Sequence, residues 1–335
     1  MTYSPLHITM VLYRPRWDEL EPTLRALASC RSEFELIWFL VSGTNSERDA
    51  LKDLLRRVDL SESSRVVHRY DNLGFASGHN LLLRQAFAAG AGSGLVLNPD
   101  VIVAPGALSA LRCDADGCGP EALVGPTLSA VGNGGKVFDS LGIRWSRTGR
   151  HFDARQGDTW SIQPGRMQSA DGITGACLLV SRQAHDLLTA MTGNFFDDAF
   201  LAYREDAELG VRARAIGIPS WVAQIEGFSH PRHVKGFERG KALPDLLGVR
   251  NRFLMRFKLG RLRPGVAPLV LARDVLVVAG VLATERSSVP GMLEAWRLRR
   301  TLRNSGRRFR DPRGRPSRAS HTGLERQSQP MESSQ

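Results

Sequence analysis

The sequence of 335 residues is poor in cysteine and has no long apolar run free of charge. Its four cysteines are scattered and form no C-x-x-C pair, which excludes a disulfide scaffold and a zinc ribbon and favours a reducing compartment. At residues 1–10 no basic segment precedes an apolar core, so we expect no secretory signal. The apolar run 264–284 carries Arg273 and Asp274 at its centre, each costing about 2.5–3.5 kcal/mol at mid-bilayer. We therefore expect a buried or interfacial helix there rather than a membrane span.

Positive charge is concentrated at the end of the chain. Residues 297–335 hold 11 arginines against three acids, a net charge of +8, which leaves +3 of the total +11 for the rest. The Arg-, Ser- and Gly-rich composition of 301–335 predicts a disordered tail. Such a tail on a nearly neutral body favours peripheral attachment to an anionic membrane surface, on its cytoplasmic face, over a specific nucleic-acid groove.

Strand-like and helix-like segments alternate through the first hundred residues. This order predicts βαβ units on a parallel sheet, with ligands at the carboxyl ends of the strands. The predicted strands are 7–13, 34–41, 65–70 and 94–97, and the predicted helices are 18–28, 48–58 and 80–89. Residues 123–229 are rich in glycine and short strands, the clearest being 175–181, and contain one helix at 206–216. We expect an α/β fold.

Two turns that follow strands carry candidate ligand-binding residues. Asp100 in Asn98-Pro99-Asp100 follows an apolar strand and is suited to hold a hard cation, although these three residues alone are more typical of a simple turn. Residues 71–80 read D-N-L-G-F-A-S-G-H-N, a loop whose glycines permit close approach of a ligand before a helix N-terminus that favours anions. This loop lacks the spacing of a dinucleotide site or a P-loop.

Acidic residues cluster at the start of the predicted helix 206–216. Glu205, Asp206 and Glu208 are compatible with helix capping or with a general base. His230 is compatible with a structural histidine unless the fold places it beside Asp100. The residues alone leave both alternatives open.

Together these segments resemble glycosyltransferase family 2, the inverting nucleotide-sugar transferases of GT-A fold, and within it the rhamnosyltransferase-like branch. The resemblance covers about residues 8–252. It rests on D-N-L-G-F-A-S-G-H-N, L-N-P-D-V, G-A-C-L-L-V-S-R, F-D-D-A-F-L-A-Y-R-E-D-A-E-L-G-V-R, the following His230, and Arg250-Asn251-Arg252, all in the family's order.

The resemblance implies a mechanism and roles for individual residues. It implies Asp206 as the general base with Glu205 orienting the helix start, and Asp100 with His230 as ligands of Mg²⁺ or Mn²⁺. The residues implied to bind the nucleotide sugar are Tyr13, Ser42, Asn72, Gly74, Phe75, Gly78, Asn80 and Asn98. Acceptor contacts or structural support are implied for Gly175, Asp198 and Arg212.

The resemblance also implies partners and a domain plan. The favoured donor is dTDP-rhamnose, and the acceptor is a glycan or a polyprenyl-linked glycolipid. An alternative is a catalytically inactive relative that binds nucleotide sugar or acts as a scaffold, which the intact Asp100, Asp206 and His230 disfavour. The expected GT-A domain is 1–235, with a nucleotide-sugar half at 1–115 and an acceptor half at 116–235. A helical region at 236–300 and the tail at 301–335 follow.

Overall fold

The computed structural model describes residues 4–132, 134–146, 149–231, 242–259 and 267–307. The strands are β1 (Leu6–Tyr13), β2 (Leu36–Ser42), β3 (Ser64–Arg69), β4 (Ser93–Leu97), β5 (Ile102–Val103), β6 (Leu123–Pro126), β7 (Leu128–Gly132), β8 (Gly135–Ser140), β9 (Ile143–Trp145), β10 (His151–Asp153), β11 (Met167–Ala170), β12 (Cys177–Ser181), β13 (Ser220–Ala223) and β14 (Phe228–Ser229). The helices are α1 (Trp17–Ser29), α2 (Asn45–Arg57), α3 (Gly74–Ala88), α4 (Ala107–Asp116), α5 (Arg182–Thr192), α6 (Glu205–Ala215), α7 (Ala242–Leu259), α8 (Ala267–Thr284) and α9 (Val289–Arg307).

A mixed eight-stranded sheet forms the centre of the molecule. Its strand order is β11-β13-β6-β12-β4-β1-β2-β3. The strands β4, β1, β2 and β3 pair in parallel, which confirms the βαβ prediction for the first hundred residues. β12 enters between β4 and β6 and runs antiparallel to both. A smaller sheet, β5-β14-β7-β8, lies beyond the end of β4.

The strands bury apolar side chains on both faces, as expected for a sheet covered by helices on each side. In β4, Leu95 and Leu97 pack with residues of α1, α2 and α4, whereas Val96 packs with residues of α3, α5 and α6. Successive side chains of a strand point to opposite faces, so this alternation defines two helix layers with the sheet between them.

The helix α3 begins at Gly74, six residues before the predicted start at residue 80, so the predicted loop 71–80 is largely helical. Gly74 has φ +73°, and a Cβ there would lie 2.3 Å from the carbonyl oxygen of Leu201. The same carbonyl accepts a hydrogen bond from the N–H of Phe75 at 2.7 Å. The Leu201 carbonyl therefore caps the N-terminus of α3, so the N–H group of Phe75 is already satisfied at the helix end that was predicted to favour an anion.

The start of α2 is also earlier than predicted, at Asn45. Thr44 and Glu47 form a capping box: the Glu47 N–H donates to Thr44 Oγ1 (3.3 Å), and the Thr44 N–H donates to Glu47 Oε2 (2.7 Å). Such reciprocal bonds satisfy two donors of the first turn, which explains why the helix begins before its apolar pattern does.

The C-terminal helices pack against the segment that precedes α6. Phe200 and Ala207 share a buried cluster with Leu254 and Met255 of α7 and with Ala295 of α9. The helical region predicted for 236–300 thus supports the acidic helix start. α9 continues through residue 301 and ends at Arg307, so residues 301–307 are helical and not part of a disordered tail; the rest of that tail lies outside the described residues.

The apolar run 264–284 forms α8, within the described part of that run. Val270 and Val281 are buried, whereas Leu269, Val275 and Leu276 are exposed. Asp274 accepts hydrogen bonds from Arg252 (2.8 Å) and Arg256 (3.1 Å) of α7, so the charge at the centre of the run is an interhelical bridge. In the described ranges, every helix is too short or too polar to cross a membrane.

Candidate active site

A cavity of about 410 Å³ lies at the carboxyl ends of β1 and β4. Parallel sheets bind ligands at this edge. The predicted nucleotide-sugar residues that line it are Tyr13, Asn72, Gly74, Phe75 and Asn98, together with Asp100. Polar backbone and side-chain groups therefore meet apolar rings in one concave site, as small-ligand pockets require.

Three other predicted nucleotide-sugar residues lie outside the cavity lining. Ser42 is buried at the end of β2. Gly78 lies in α3, where a Cβ would come within 2.8 Å of Val11 in β1. The Asn80 side chain donates to the Phe196 carbonyl and accepts from the Phe196 N–H, both at 2.8 Å. Gly78 and Asn80 thus fix the position of α3 beneath the cavity.

The small sheet brings Asp100 and His230 together. β5 begins two residues after Asp100, β14 ends one residue before His230, and the two strands pair with Ser229 opposite Ile102. His230 Nε2 lies 3.2 Å from Asp100 Oδ1. On the other side of the ring, His230 Nδ1 lies 2.8 Å from Oδ2 of Asp139 in β8.

Asp139 is a member of this site that the sequence analysis missed. Its side chain is buried, and a buried carboxylate is seldom without a partner, but nothing in the sequence around it indicates that burial. Burial by itself lowers the pKa of His230, but the hydrogen bonds and charges of Asp100 and Asp139 outweigh burial and raise that pKa to about 9. The imidazole is therefore oriented by two carboxylates.

The donor set at this site fits a divalent cation that is also bound by substrate. Asp100 offers a carboxylate, and Asp139 holds Nδ1 of His230, as carboxylates do behind metal-binding histidines. His230 Nε2 lies against Asp100 and would become a ligand once a cation displaces the proton that the raised pKa retains. In the ranges that the structure describes, no group of three or more His, Cys, Asp or Glu side chains is arranged to hold a metal. Asp100 and His230 would therefore be the two protein ligands of a cation, and diphosphate oxygens would have to complete its coordination shell.

We expect Asp139→Asn to weaken metal-dependent nucleotide binding by about 10- to 100-fold, the usual effect of losing the carboxylate behind a ligating histidine. Titration calorimetry of dTDP and UDP in Mn²⁺ measures this change. Asp116→Asn, at the exposed end of α4, is the control. Equal affinity of the Asp139→Asn and control proteins would contradict a role for Asp139 in holding His230.

The carboxylate of Asp206 is held at the start of α6. Its Oδ2 accepts the Gly175 N–H at 3.0 Å, and its Oδ1 accepts the Ala207 N–H at 2.7 Å. The preceding Tyr203 and Arg204 have φ values of +69° and +76°, a left-handed pair that non-glycine residues adopt at a cost. Strain of this kind is concentrated at functional sites.

Gly175 connects Asp206 to the cavity. A Cβ on Gly175 would lie 3.0 Å from the ring of Phe75, which lines the cavity, and 3.6 Å from Asp206 Cβ. The absence of a side chain at this position therefore lets Asp206 lie next to the cavity wall.

Glu205 differs from its neighbour. It is 6 % exposed, and burial followed by the charge of Asp206 raises its pKa well above the usual range. Among the described residues its Oε2 has no hydrogen-bond partner. The side-chain hydrogen bonds at the helix start that involve Asp206 are those to Gly175 and Ala207, and the orienting role that the resemblance implies for Glu205 stays a prediction.

Two predicted support residues brace the segment 192–204. Arg212 donates to both oxygens of the buried Glu208 (2.8 and 2.7 Å) and to the carbonyls of Asn194 and Phe195. Asp198 accepts hydrogen bonds from Ser77, Asn80 and Asn194.

The motif Arg250-Asn251-Arg252 supports the same segment from α7. Arg250 donates to the Ala199 carbonyl at 2.8 Å. Asn251 Nδ2 donates to the carbonyls of Ala202 (2.7 Å) and Tyr203 (2.8 Å), which holds the strained turn before Asp206.

Comparison with known proteins identifies the fold. GalNAc-T7, solved with UDP, GalNAc and Mn²⁺, superposes with a TM-score of 0.56 at 11 % identity over 82 % of this chain, which spans about half (54 %) of that protein. The TarS fragment 1–349 from S. aureus, solved with UDP-GlcNAc, superposes with a TM-score of 0.52 at 11 % identity, covering 91 % of this chain and 88 % of that one. Both neighbours are glycosyltransferases, and the chain has the GT-A glycosyltransferase fold. No family model and no curated protein matches the sequence.

Proposed function

We propose that this protein is an inverting glycosyltransferase of family 2 that transfers a sugar, rhamnose in the favoured case, from a nucleoside diphosphate to an acceptor hydroxyl. The observation that carries the proposal is the arrangement of two carboxylates around one cavity. Asp100 is held by His230 on one side, and Asp206 lies across Gly175 from Phe75 on the other. Neighbours of the same fold were solved with nucleotide, nucleotide sugar or Mn²⁺, which supports this class of substrate.

The reaction assigns one proton transfer to Asp206. The acceptor oxygen forms a bond to the anomeric carbon while the bond from that carbon to the diphosphate oxygen breaks. The acceptor proton passes to the Asp206 carboxylate, which its two backbone hydrogen bonds keep oriented. In-line displacement inverts the anomeric configuration. A second carboxylate to protonate a glycosidic oxygen is not needed, since the leaving group is a diphosphate and not an alcohol.

Asp100 and His230 would hold Mg²⁺ or Mn²⁺ at the diphosphate. When bound, the cation supplies charge neutralisation on the departing group. Tyr13, Asn72 and Phe75 contribute the cavity wall for the nucleotide sugar, with dTDP-rhamnose as the favoured donor. The acceptor we propose is a glycan or polyprenyl-linked glycolipid, met at the cytoplasmic face of a membrane to which the chain attaches peripherally.

Nucleotide binding tests the proposed site. Titration of the full chain with dTDP, UDP and GDP in Mn²⁺ or in EDTA is expected to show binding of at least one nucleotide that depends on the metal. Asp100→Ala should weaken that binding by about 100-fold or more, because it removes a residue that would contact the metal itself. Loss of a residue that only holds a metal ligand already weakens metal binding by about 10- to 100-fold. Asp116→Ala is again the control. Failure of every nucleotide to bind the wild-type protein in Mn²⁺ and in Mg²⁺ would contradict the proposal.

A further inference from the structure

Positive charge gathers around Arg204, two residues before Asp206. Arg150, Arg204, Arg252 and Arg273, called here the arginine cluster, come from the β9–β10 connection, the turn before α6, α7 and α8. His151 of β10 lies beside them, but burial lowers its pKa to about 4, so it adds no positive charge at neutral pH. None of the four arginines lines the cavity, although Tyr203, the neighbour of Arg204, does. The cluster and the cavity therefore meet at the turn that carries Asp206.

Three contacts assemble the cluster. Arg204 Nη1 lies 3.4 Å from Nδ1 of His151, the first residue of β10, which follows Arg150 directly in the chain. Asn251 of α7 donates to the Tyr203 carbonyl, and the charge of the next residue, Arg252, acts on Arg204. The Arg252–Asp274 pair joins α7 to α8, whose Arg273 interacts electrostatically with Arg204 and Arg252.

The four arginines of the cluster carry more positive charge than the two carboxylates beside them, Asp206 and Asp274, can neutralise. Asp274 is shared between Arg252 and Arg256. Among the described residues, Arg150, Arg204 and Arg273 form no ion pair. The Nε atoms of Arg204 and Arg252 are buried and have no hydrogen-bond partner in the same part of the chain. Burial, and next the charges of Arg252 and Arg273, lower the pKa of Arg204 to about 10. Buried donors without partners are costly, so the arrangement suits a ligand that brings several acceptor oxygens.

We propose that the arginine cluster binds a phosphate or diphosphate group of the sugar acceptor and so presents the acceptor hydroxyl to Asp206. The inference rests on the proposed function. Guanidinium groups match phosphate geometry with paired N–H donors, and several converging arginines need the multiple oxygens and charges that a phosphate has. The position of the cluster, outside the nucleotide cavity and next to the base, assigns it to the acceptor and not to the donor.

The exposed surface of α8 indicates which kind of acceptor carries that phosphate. Leu269, Leu271, Val275 and Leu276 are each more than half exposed on the helix that carries Arg273. An apolar surface of this kind beside a phosphate site fits a lipid-linked phosphate better than a soluble phosphorylated glycan.

Binding of three simple probes tests the proposal. The full chain is titrated in EDTA with geranyl diphosphate, inorganic pyrophosphate and glucose 1-phosphate, since EDTA prevents a diphosphate from being held through a metal at Asp100 and His230. The variants are Arg273→Gln and the double variant Arg150→Gln with Arg273→Gln. Arg286→Gln, an exposed arginine just beyond α8, makes the same charge change and is the control.

We expect Arg273→Gln to weaken probe binding by about 10-fold or more, and the double variant further, because each lost charge-assisted bond is among the stronger kinds. The control should bind like wild type. Tighter binding of geranyl diphosphate than of the other two probes assigns a lipid-linked acceptor, whereas preference for glucose 1-phosphate assigns a soluble phosphorylated glycan.

Three results would overturn the proposal: no probe binds the wild-type protein, Arg273→Gln binds as wild type does, or Arg286→Gln loses as much affinity as Arg273→Gln. Nucleotide titration in Mn²⁺ on the same proteins separates this proposal from the proposed function. If Arg273→Gln and the double variant bind both nucleotide and probes as the wild-type protein does, the arginine site is overturned and the proposed function is not. Thermal melting checks that each variant is folded.

Discussion

Asp206→Asn is expected to slow sugar transfer by about 10²–10⁴-fold, the contribution typical of a general base. The amide keeps the shape of the side chain, and its carbonyl oxygen can still accept the Gly175 N–H that Asp206 Oδ2 accepts in the native protein. It cannot take the acceptor proton. Nucleotide binding should be retained, because Asp206 lies across Gly175 from the cavity and not against the diphosphate ligands. Steady-state rates and nucleotide titrations on the same protein measure both quantities.

Glu205→Gln is the matched control for this prediction. Burial and the Asp206 charge raise the pKa of Glu205 well above its usual range, which favours the neutral carboxyl over the carboxylate. Glutamine has nearly the same shape and charge as that carboxyl, and we expect turnover close to wild type. A Glu205→Gln protein that has lost transfer while Asp206→Asn retains it would assign the base to the other carboxylate.

Arg212→Met is expected to destabilise the fold by about 3–5 kcal/mol, the range for breaking a buried ion pair. The Glu208 carboxylate is fully buried and receives Arg212 Nε at 2.7 Å and Lys258 Nζ at 2.5 Å. Without Arg212, the carbonyls of Asn194 and Phe195 also lose a donor. Urea denaturation measures the change, which is a large share of the roughly 5–15 kcal/mol stability of a typical domain.

Arg214→Met, two residues further along α6, is the control for Arg212→Met. Arg214 pairs with Asp171 at 2.7 Å, but its side chain is 65 % exposed, so its loss should cost no more than about 1 kcal/mol. Equal midpoints for the two variants would contradict a special role for the buried Arg212–Glu208 pair.

The parallel half of the sheet and the meeting of Asp100 with His230 could be predicted, the first from residue periodicity and the second from motif order. The alternation of apolar segments determines β1 to β4 because strands and helices differ in period. The start of α3 could not be predicted, since Leu201, which caps it, is distant in the chain. Asp139 lies 91 residues from His230 in the sequence, and no local pattern links the two. The arginine cluster likewise depends on the packing of α7 and α8, which periodicity does not determine.

The most direct test of glycosyl transfer is to follow donor turnover by NMR. The wild-type protein is incubated with a panel of nucleotide sugars, dTDP-rhamnose first, in Mn²⁺, with water alone or a prenyl diphosphate-linked saccharide as acceptor. We predict release of the nucleoside diphosphate and a sugar product of opposite anomeric configuration, with release stopped by EDTA and slowed in Asp206→Asn. Donors that bind but remain intact under every condition, or a product with the donor's configuration retained, would contradict the account.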